Sequence, residues 1–209
     1  MDVGTLARDI AVVVVAYLVG GIPWGVIVAR LAGGPDPRSV GSGRTGGANV
    51  ARALGLRLAV VTGVLDICKG IAAVLIARLV GAGVSVEILA ALAAIIGHSR
   101  SPFLHLQGGR GVSPGVGGLL MIQPIVAVCI VPVFVIVFLV SRYSSLASLT
   151  GSAAAGVGLV IVALATRQPP VYYGYAVAGP LLIWLFHHDN IARLLAGTER
   201  RFGSPPASR

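Results

Sequence analysis

Long apolar segments constrain this chain more than any other feature. They occupy most of its length, at residues 10–32, 54–80, 86–97, 115–141, 145–165 and 171–186. A helix needs roughly 20 apolar residues to cross the hydrocarbon core of a bilayer, and the backbone there must satisfy its own hydrogen bonds. Only 11% of the residues are charged, against about 25% in soluble domains. The sequence therefore predicts an all-α integral membrane protein.

The number of spans depends on how the run at 115–141 is divided. Pro124 and Pro132 interrupt it, and a break near Gln123 gives a short helix followed by a longer one. We then expect seven transmembrane helices in one domain over residues 1–209, at 8–31, 54–80, 86–97, 112–122, 125–141, 145–165 and 171–187. The third and fourth are too short to cross the bilayer without tilt or re-entrant help.

The arginines are unevenly distributed between the loops. The first, third and last polar segments are arginine-rich, including Arg209 in the tail, whereas the alternate loops hold only Arg8, Arg78 and Arg167. Because cytoplasmic loops carry the excess of positive charge, this pattern predicts an outside N-terminus and a cytoplasmic C-terminus. Cys68 and Cys129 lie inside apolar runs, and we interpret them as small packing residues rather than a disulfide or metal ligands.

Three polar islands separate the apolar runs, at residues 33–52, 97–114 and 187–202. In the predicted topology all three emerge on the cytoplasmic side. This arrangement favours a surface-accessible site over a pore.

The first island contains GSGRTGGANVAR at residues 41–52. Glycines permit positive φ angles and close approach to a ligand, successive N–H groups bind anions, and arginine forks suit phosphate oxygens. We predict a phosphate loop; a flexible turn with arginines placed by the membrane is the alternative. The stretch also fits the GxGxxG dinucleotide pattern, but an apolar span follows it rather than the required strand–turn–helix unit, so we reject that interpretation.

The second island carries Gly108-Gly109-Arg110-Gly111, which again resembles a phosphate cradle. It lacks the spacing of a Walker loop. The overlapping GVSPG at 111–115 matches a serine-hydrolase elbow, in which the residue after serine donates its N–H to the oxyanion. Here that residue is Pro114, which has no N–H, so the hydrolase interpretation fails.

The third island begins HHDNIARLLAGTER at residue 187. His187 and Asn190 are three apart and share a helix face, where they could hold a hydroxyl-bearing substrate or instead cap the helix and meet lipid headgroups. With no HExxH or spaced Cys/His set, we predict no metal and no cofactor. Asp66 and Lys69 form an acid–base pair on one face of the second span, which we interpret as a self-neutralising pair supporting the site.

Together these segments resemble the bacterial acyl-phosphate:glycerol-3-phosphate acyltransferases, the PlsY family of integral membrane enzymes. The resemblance runs from YLVGGIPWG at 17–25 to GTERRFG at 197–203. The family motifs are similar to GSGNxGATNVLR, FKGGKGVAT, HxxNIxRLLxGTE and DILKG. They match GSGRTGGANVAR, LQGGRGVSP, HHDNIARLLAGTE and DICKG in this chain.

The resemblance implies transfer of a fatty acyl group from acyl phosphate to the 1-hydroxyl of glycerol 3-phosphate, giving lysophosphatidic acid, in a bacterial inner membrane with the site facing the cytoplasm. The resemblance also implies contact with membrane lipids and no binding of nucleic acid. By resemblance the glycerol 3-phosphate and catalytic residues are Ser42, Arg52, Arg110, His187 and Asn190. The acyl phosphate would be held by Gly43, Arg44, Gly46, Gly47, Asn49, Gly108, Gly109 and Gly111, with Asp66, Lys69 and Glu199 in support.

No strong general base stands out. Either His187 or the acyl phosphate's own phosphate takes the hydroxyl proton, and we favour the phosphate, with the protein aligning the substrates and stabilising charge.

Four positions depart from the family motifs. They are Arg44 for Asn, Ala48 for Thr, Arg110 for Lys and Pro114 for Thr. These changes leave three alternatives open: an active enzyme on the usual substrates, which we expect, a shifted substrate, or an inactive paralogue.

A small transporter or flippase for an anionic lipid or metabolite is the main rival, with the Asp66–Lys69 pair as a relay. Alternating access requires binding groups at mid-membrane in paired repeats, whereas the polar islands here gather on one face. A non-catalytic phosphate-lipid-binding protein is a third option.

Overall fold

The computed structural model describes residues 2–203, so the predicted polar tail with Arg209 lies outside the described part. Within these residues the chain is all helical, with ten α-helices and short connections. They are α1 (Val3–Gly21), α2 (Trp24–Leu31), α3 (Gly47–Leu54), α4 (Leu56–Leu79), α5 (Val84–Ser99), α6 (Val112–Ile122), α7 (Pro124–Ser141), α8 (Ser144–Ala165), α9 (Val171–Phe186) and α10 (His188–Leu195).

Five segments of the described chain are long and apolar enough to cross a membrane: Val3–Leu31, Leu56–Leu79, Val84–Leu104, Pro124–Ser141 and Ser144–Ala165. The helices α6 and α9 are apolar but shorter. The predicted all-α membrane class is therefore confirmed.

Prolines set two of the helix boundaries. The first span, predicted as one helix, is divided into α1 and α2 at Ile22–Pro23, because Pro23 has no N–H to continue the helix. The predicted break near Gln123 is observed, since α6 ends at Ile122 and α7 begins at Pro124.

The helices α4 and α5 form the centre of the bundle. On one side, Ala73 and Ala90 belong to a buried cluster with Val12 and Ala16 of α1. On the other, Val74 belongs to a cluster that includes residues of α6, α7, α8 and α9. The central pair therefore holds α1 apart from the four later helices.

Glycines allow the closest helix contacts. A Cβ on Gly97 of α5 would overlap the carbonyl oxygen of Tyr17 in α1, and one on Gly117 of α6 would overlap that of Ile67 in α4. In a membrane, small residues stabilise helix pairs because they let the backbones approach each other.

The polar islands lie at one end of the bundle, where α2, α5, α7 and α9 finish and α4, α6 and α8 begin. At the other end, Arg78 binds Glu87 and the Met121 carbonyl oxygen and so joins α4, α5 and α6. Cys68 and Cys129 are free and exposed on the outer surface. Our interpretation of them as packing residues was wrong, because helix rotation turns both side chains away from the core.

Candidate active site

Residues from all three polar islands line one cavity of about 220 Å³. The sequence-predicted residues on its wall are Ser42, Arg44, Gly46, Gly47, Asn49, Asp66, Gly109, Arg110 and His187. The remaining wall residues are Ala48, His98, Val112, Ser113, Phe134, Ser144, Ser145 and Ser148. Sequence reasoning missed His98 and the serines of α8, because no motif marks them and only the fold brings them to the cavity.

Asn49 organises the loop of the first island. Its Nδ2 donates to the carbonyl oxygens of Val40 and Arg44, at 3.0 and 2.9 Å, and its Oδ1 accepts from Arg52 Nη1 at 3.0 Å. Asn49 is buried, so these bonds are protected from water and fix the loop. Arg52 thus contacts Asn49 and is not among the residues on the cavity wall.

Only part of the predicted phosphate loop is irregular. Gly41 and Gly43 have φ angles of 59° and 69°, which other residues rarely adopt. Gly46 has φ −75° and precedes α3, and Gly47 is the first residue of that helix. The expectation of positive φ was therefore wrong for Gly46 and Gly47, which begin a helix instead.

Four helices begin at the cavity. Gly47 of α3, Ser113 of α6 and Ser145 of α8 each lie in the first turn of their helix, and His187 immediately precedes α10. Unpaired N–H groups and the helix dipole give each N-terminus a partial positive charge. Such ends bind phosphate and carboxylate groups, so their convergence makes the cavity suited to anions.

Arg110 adds a full positive charge to this cavity. Its Nη2 lies 2.9 Å from Asp189 Oδ2, while its Nε is buried without a hydrogen-bond partner among residues 2–203. Burial lowers the pKa of Arg110, but the guanidinium stays charged because the ordinary pKa of arginine lies far above neutrality. Arg110 therefore has donor capacity left for an anionic ligand.

His187 supplies a hydrogen-bond acceptor. Its Nδ1 lies 2.8 Å from the Ile183 carbonyl oxygen, which can only accept, so Nδ1 carries the proton and Nε2 has a free lone pair. Burial, with the nearby cation of Arg110, lowers the pKa of His187 to about 4. The ring is therefore neutral at pH 7.

A hydrogen-bonded network lies behind the cavity around Glu199. Its Oε1 accepts from Ser145 Oγ and Asn190 Nδ2, both at 2.6 Å, and its Oε2 accepts from Arg193 Nε at 2.8 Å. These bonds, together with the charge of Arg193, hold the pKa of Glu199 below its usual value although burial opposes them. Asn190 thus binds Glu199 and joins α10 to α8, and it is not among the wall residues.

Asp66 and Lys69 form the predicted ion pair, with Oδ1 and Nζ 2.8 Å apart. Lys69 Nζ also lies 2.9 Å from the Ile22 carbonyl oxygen and 2.8 Å from His98 Nδ1. The pair is therefore part of a larger cluster that joins α4 to α5 and to the break between α1 and α2.

The glycines of the second island pack around His98 and the start of α6. A Cβ on Gly108 would overlap the His98 carbonyl oxygen, and one on Gly109 would overlap the His98 ring. Gly111 precedes α6 with a φ of 81°. These positions accommodate only glycine, for reasons of space or of backbone conformation.

An apolar pocket of about 240 Å³ adjoins the polar cavity. It lies among α6, α7, α8 and α9, and its wall includes Leu159 and Tyr175. The two spaces share Val112, Ser113, Phe134 and Ser148. Fold and site thus define a helical membrane protein in which a cavity suited to anions adjoins an apolar pocket.

Comparison with known proteins assigns this class more narrowly. A family model for glycerol-3-phosphate acyltransferase matches residues 10–197, so the chain belongs to the glycerol-3-phosphate acyltransferase family. It is 40% identical over 208 residues to glycerol-3-phosphate acyltransferase 3 of Dehalococcoides mccartyi, covering 94% of this chain and 96% of the relative. It is 42% identical over 188 residues to a glycerol-3-phosphate acyltransferase of Thermus thermophilus, covering 90% of this chain and 92% of the relative.

Two solved structures share the fold. Both are crystal structures of PlsY (YgiH), an integral membrane glycerol 3-phosphate acyltransferase, one in the glycerol 3-phosphate form and one in the lysophosphatidic acid form. Their TM-scores are 0.84 and 0.83, with 36% sequence identity and coverage of 94% of this chain and 96% of the other chain.

Proposed function

We propose that this chain transfers a fatty acyl group from acyl phosphate to the 1-hydroxyl of glycerol 3-phosphate, giving lysophosphatidic acid and phosphate. The observation that carries the proposal is the junction of an anion-binding cavity with an apolar pocket. One substrate is a phosphorylated acyl chain and the other a phosphorylated glycerol, so the reaction needs both environments side by side.

The phosphates bind where the positive charges gather. Arg44, Arg110, the first turns of three helices and the residue before a fourth line the cavity, and charge-assisted bonds to phosphate are the strong class of hydrogen bond. Ser42 and His187 contact glycerol 3-phosphate from the same wall. Arg52 and Asn190 act from behind, through Asn49 and Glu199 respectively.

The apolar pocket holds the start of the acyl chain. Its wall is formed mostly by aliphatic residues and glycines of α6 to α9, and burial of apolar surface stabilises binding by about 25 cal/mol per Å². The shared residues Ser113 and Ser148 then lie where the chain meets its phosphate-bearing carbonyl group.

In the reaction the 1-hydroxyl oxygen attacks the acyl carbonyl carbon, and the bond from that carbon to the phosphate oxygen breaks. His187 accepts a hydrogen bond from the hydroxyl through Nε2 and so orients it. A histidine with a pKa of about 4 is a weaker base than a phosphate dianion, whose pKa is about 6. The proton therefore goes to the departing phosphate, and the protein supplies alignment and charge stabilisation.

We place the site on the cytoplasmic face of a bacterial inner membrane. In this proposal the chain forms a single domain over residues 1–209 and crosses the membrane seven times. Its N-terminus lies outside and its C-terminus lies in the cytoplasm. The arginine distribution supports this orientation. The two apolar helices shorter than a normal span, α6 and α9, pack within the bundle beside longer helices.

The test is an assay in micelles with palmitoyl phosphate and glycerol 3-phosphate. Wild-type protein should release phosphate and lysophosphatidic acid in equal amounts, which a transporter without a second compartment would not do. Arg110→Ala should lower kcat/KM by about 10- to 100-fold, since it removes charge-assisted bonds worth about 1.5–3 kcal/mol.

The matched control is Arg57→Ala, at an exposed arginine at the start of α4, which should keep wild-type turnover. Absence of both products, or full turnover in Arg110→Ala, would exclude the proposed reaction at this site.

A further inference from the structure

His98 is a buried cavity residue within the second polar island but outside the motifs that predicted the site. It lies in the last turn of α5, is 7% exposed, and is one of the residues that line the polar cavity. The reaction proposed above gives it no task.

The surroundings of Lys69 determine where the proton on the His98 ring resides. Lys69 Nζ makes two hydrogen-bond contacts, with the Ile22 carbonyl oxygen at 2.9 Å and with His98 Nδ1 at 2.8 Å, and it forms an ion pair with Asp66 Oδ1 at 2.8 Å. An ammonium group has three donors and no acceptor, and the Asp66 carboxylate supplies its counter-charge. Nδ1 of His98 must therefore accept, which leaves the proton of the neutral ring on Nε2.

The carboxylate of Asp66 does not support the opposite tautomer. Its Oδ1 lies 3.6 Å from His98 Nδ1, beyond hydrogen-bond distance. Lys69 Nζ is closer to both groups, at 2.8 Å from each. The cluster thus holds His98 in one protonation form.

The Nε2 edge of the ring lies against the glycine segment of the second island. A Cβ on Gly109 would overlap His98 Nε2, and the Gly109 N–H donates to the His98 carbonyl oxygen at 3.0 Å. Within residues 2–203 no hydrogen bond engages Nε2. The free N–H donor therefore belongs to a residue on the same cavity wall as Gly109 and Arg110.

We propose that His98 is a substrate-contacting residue whose Nε2–H donates a hydrogen bond to a phosphate oxygen of the acyl phosphate. This rests on the proposed function. The two cavity histidines then have opposite polarity: His187 presents an acceptor to the glycerol hydroxyl, and His98 presents a donor to the acyl donor. Lys69 and Asp66 are positioning residues that keep the His98 donor in place.

Two substitutions separate the two edges of the His98 ring. In His98→Asn the amide oxygen takes the place of Nδ1 and can accept from Lys69, but nothing replaces the Nε2 donor. In His98→Gln the longer side chain places an N–H near the position of Nε2. His105→Asn is the control, because His105 is exposed with a φ of 51° that asparagine tolerates.

We expect His98→Asn to raise KM for palmitoyl phosphate or lower kcat about 10- to 100-fold, the effect of losing one hydrogen bond to a charged group. KM for glycerol 3-phosphate and the melting temperature should stay close to those of wild type. His98→Gln should recover much of the loss, and His105→Asn should behave as wild type. A purely structural role would instead lower the melting temperature and affect both substrates alike.

Nitrogen-15 NMR of labelled histidines gives a readout that does not depend on turnover. The His98 signals, assigned by their loss in His98→Asn, should show the proton on Nε2, and those of His187 should show it on Nδ1. A proton on Nδ1 of His98 would overturn the proposed contact of His98 and leave the proposed acyl transfer intact. Unchanged kinetics in His98→Asn, with the wild type active, would do the same. Failure of the wild type to turn over overturns the proposed function, and this contact with it.

Discussion

Replacing Glu199 with Gln tests whether the network behind the cavity stabilises the folded protein. Glu199 is 7% exposed in its side chain and accepts three hydrogen bonds, from Ser145, Asn190 and Arg193. Gln keeps one oxygen, which can still accept from Ser145 and Asn190. Its amide nitrogen replaces the second oxygen and cannot accept from Arg193.

The magnitude follows from these contacts. The bond from Arg193 is charge-assisted and worth about 1.5–3 kcal/mol, with the lower half of that range appropriate because Arg193 is 32% exposed. The other two bonds become neutral, which weakens them by about 1 kcal/mol in total. We therefore expect the free energy of unfolding to fall by about 3 kcal/mol. For a chain of this size that corresponds to about 6–12 °C in Tm.

The measurement is thermal unfolding in detergent micelles, with Glu87→Gln as the matched control. Glu87 also accepts two bonds from an arginine, Arg78, but that arginine is 45% exposed. Exposed pairs contribute about 0–1 kcal/mol, so the control should lose less than about 4 °C. If Glu199→Gln lowers Tm no more than Glu87→Gln does, the network does not stabilise the fold as argued.

Three further predictions concern protonation, helix packing and the acyl pocket. The pKa of His187 is lowered to about 4, so as the pH falls the histidine is protonated in the unfolded state before it is protonated in the folded state. The free energy of unfolding should therefore fall by up to about 3 kcal/mol from pH 7 to pH 4. In His187→Gln this part of the pH dependence of Tm should be missing. Gly70→Ala should destabilise by more than about 2 kcal/mol in thermal unfolding, because its Cβ would overlap the backbone of α6, whereas Gly63→Ala on the same helix has open space and should be neutral or stabilising. Gly151→Leu should raise KM about tenfold for long-chain but not short-chain acyl phosphates, because Gly151 lines the apolar pocket; equal effects on both would exclude an acyl chain there.

Several features of the fold could be predicted from sequence because they depend on local chemistry. Apolar runs of sufficient length specify membrane helices, and Pro124 specifies the break before α7. The Asp66–Lys69 pair follows from helical spacing. The break at Pro23 was missed because the apolar run continues through it without any polar signal.

Other features of the site could not be predicted because they depend on contacts between distant segments. Gly46 and Gly47 read as loop residues but begin α3. The bond from Asn190 Nδ2 to Glu199, nine residues further along the chain, also has no signal in the sequence. His98 carried no motif, and its role depends on Lys69, which is 29 residues away.

The sequence by itself determined which segments enter the membrane, and it gathered glycine, arginine and histidine in the connections between them. Hydrophobicity and backbone hydrogen bonding act residue by residue, so these properties can be read along the chain. Only the tertiary structure decided that four helices begin at one cavity, that this cavity adjoins an apolar pocket, and that a buried lysine contacts His98. The physical reason is that helix packing fixes the distances between segments, and dipoles, ion pairs and hydrogen bonds act only over those distances.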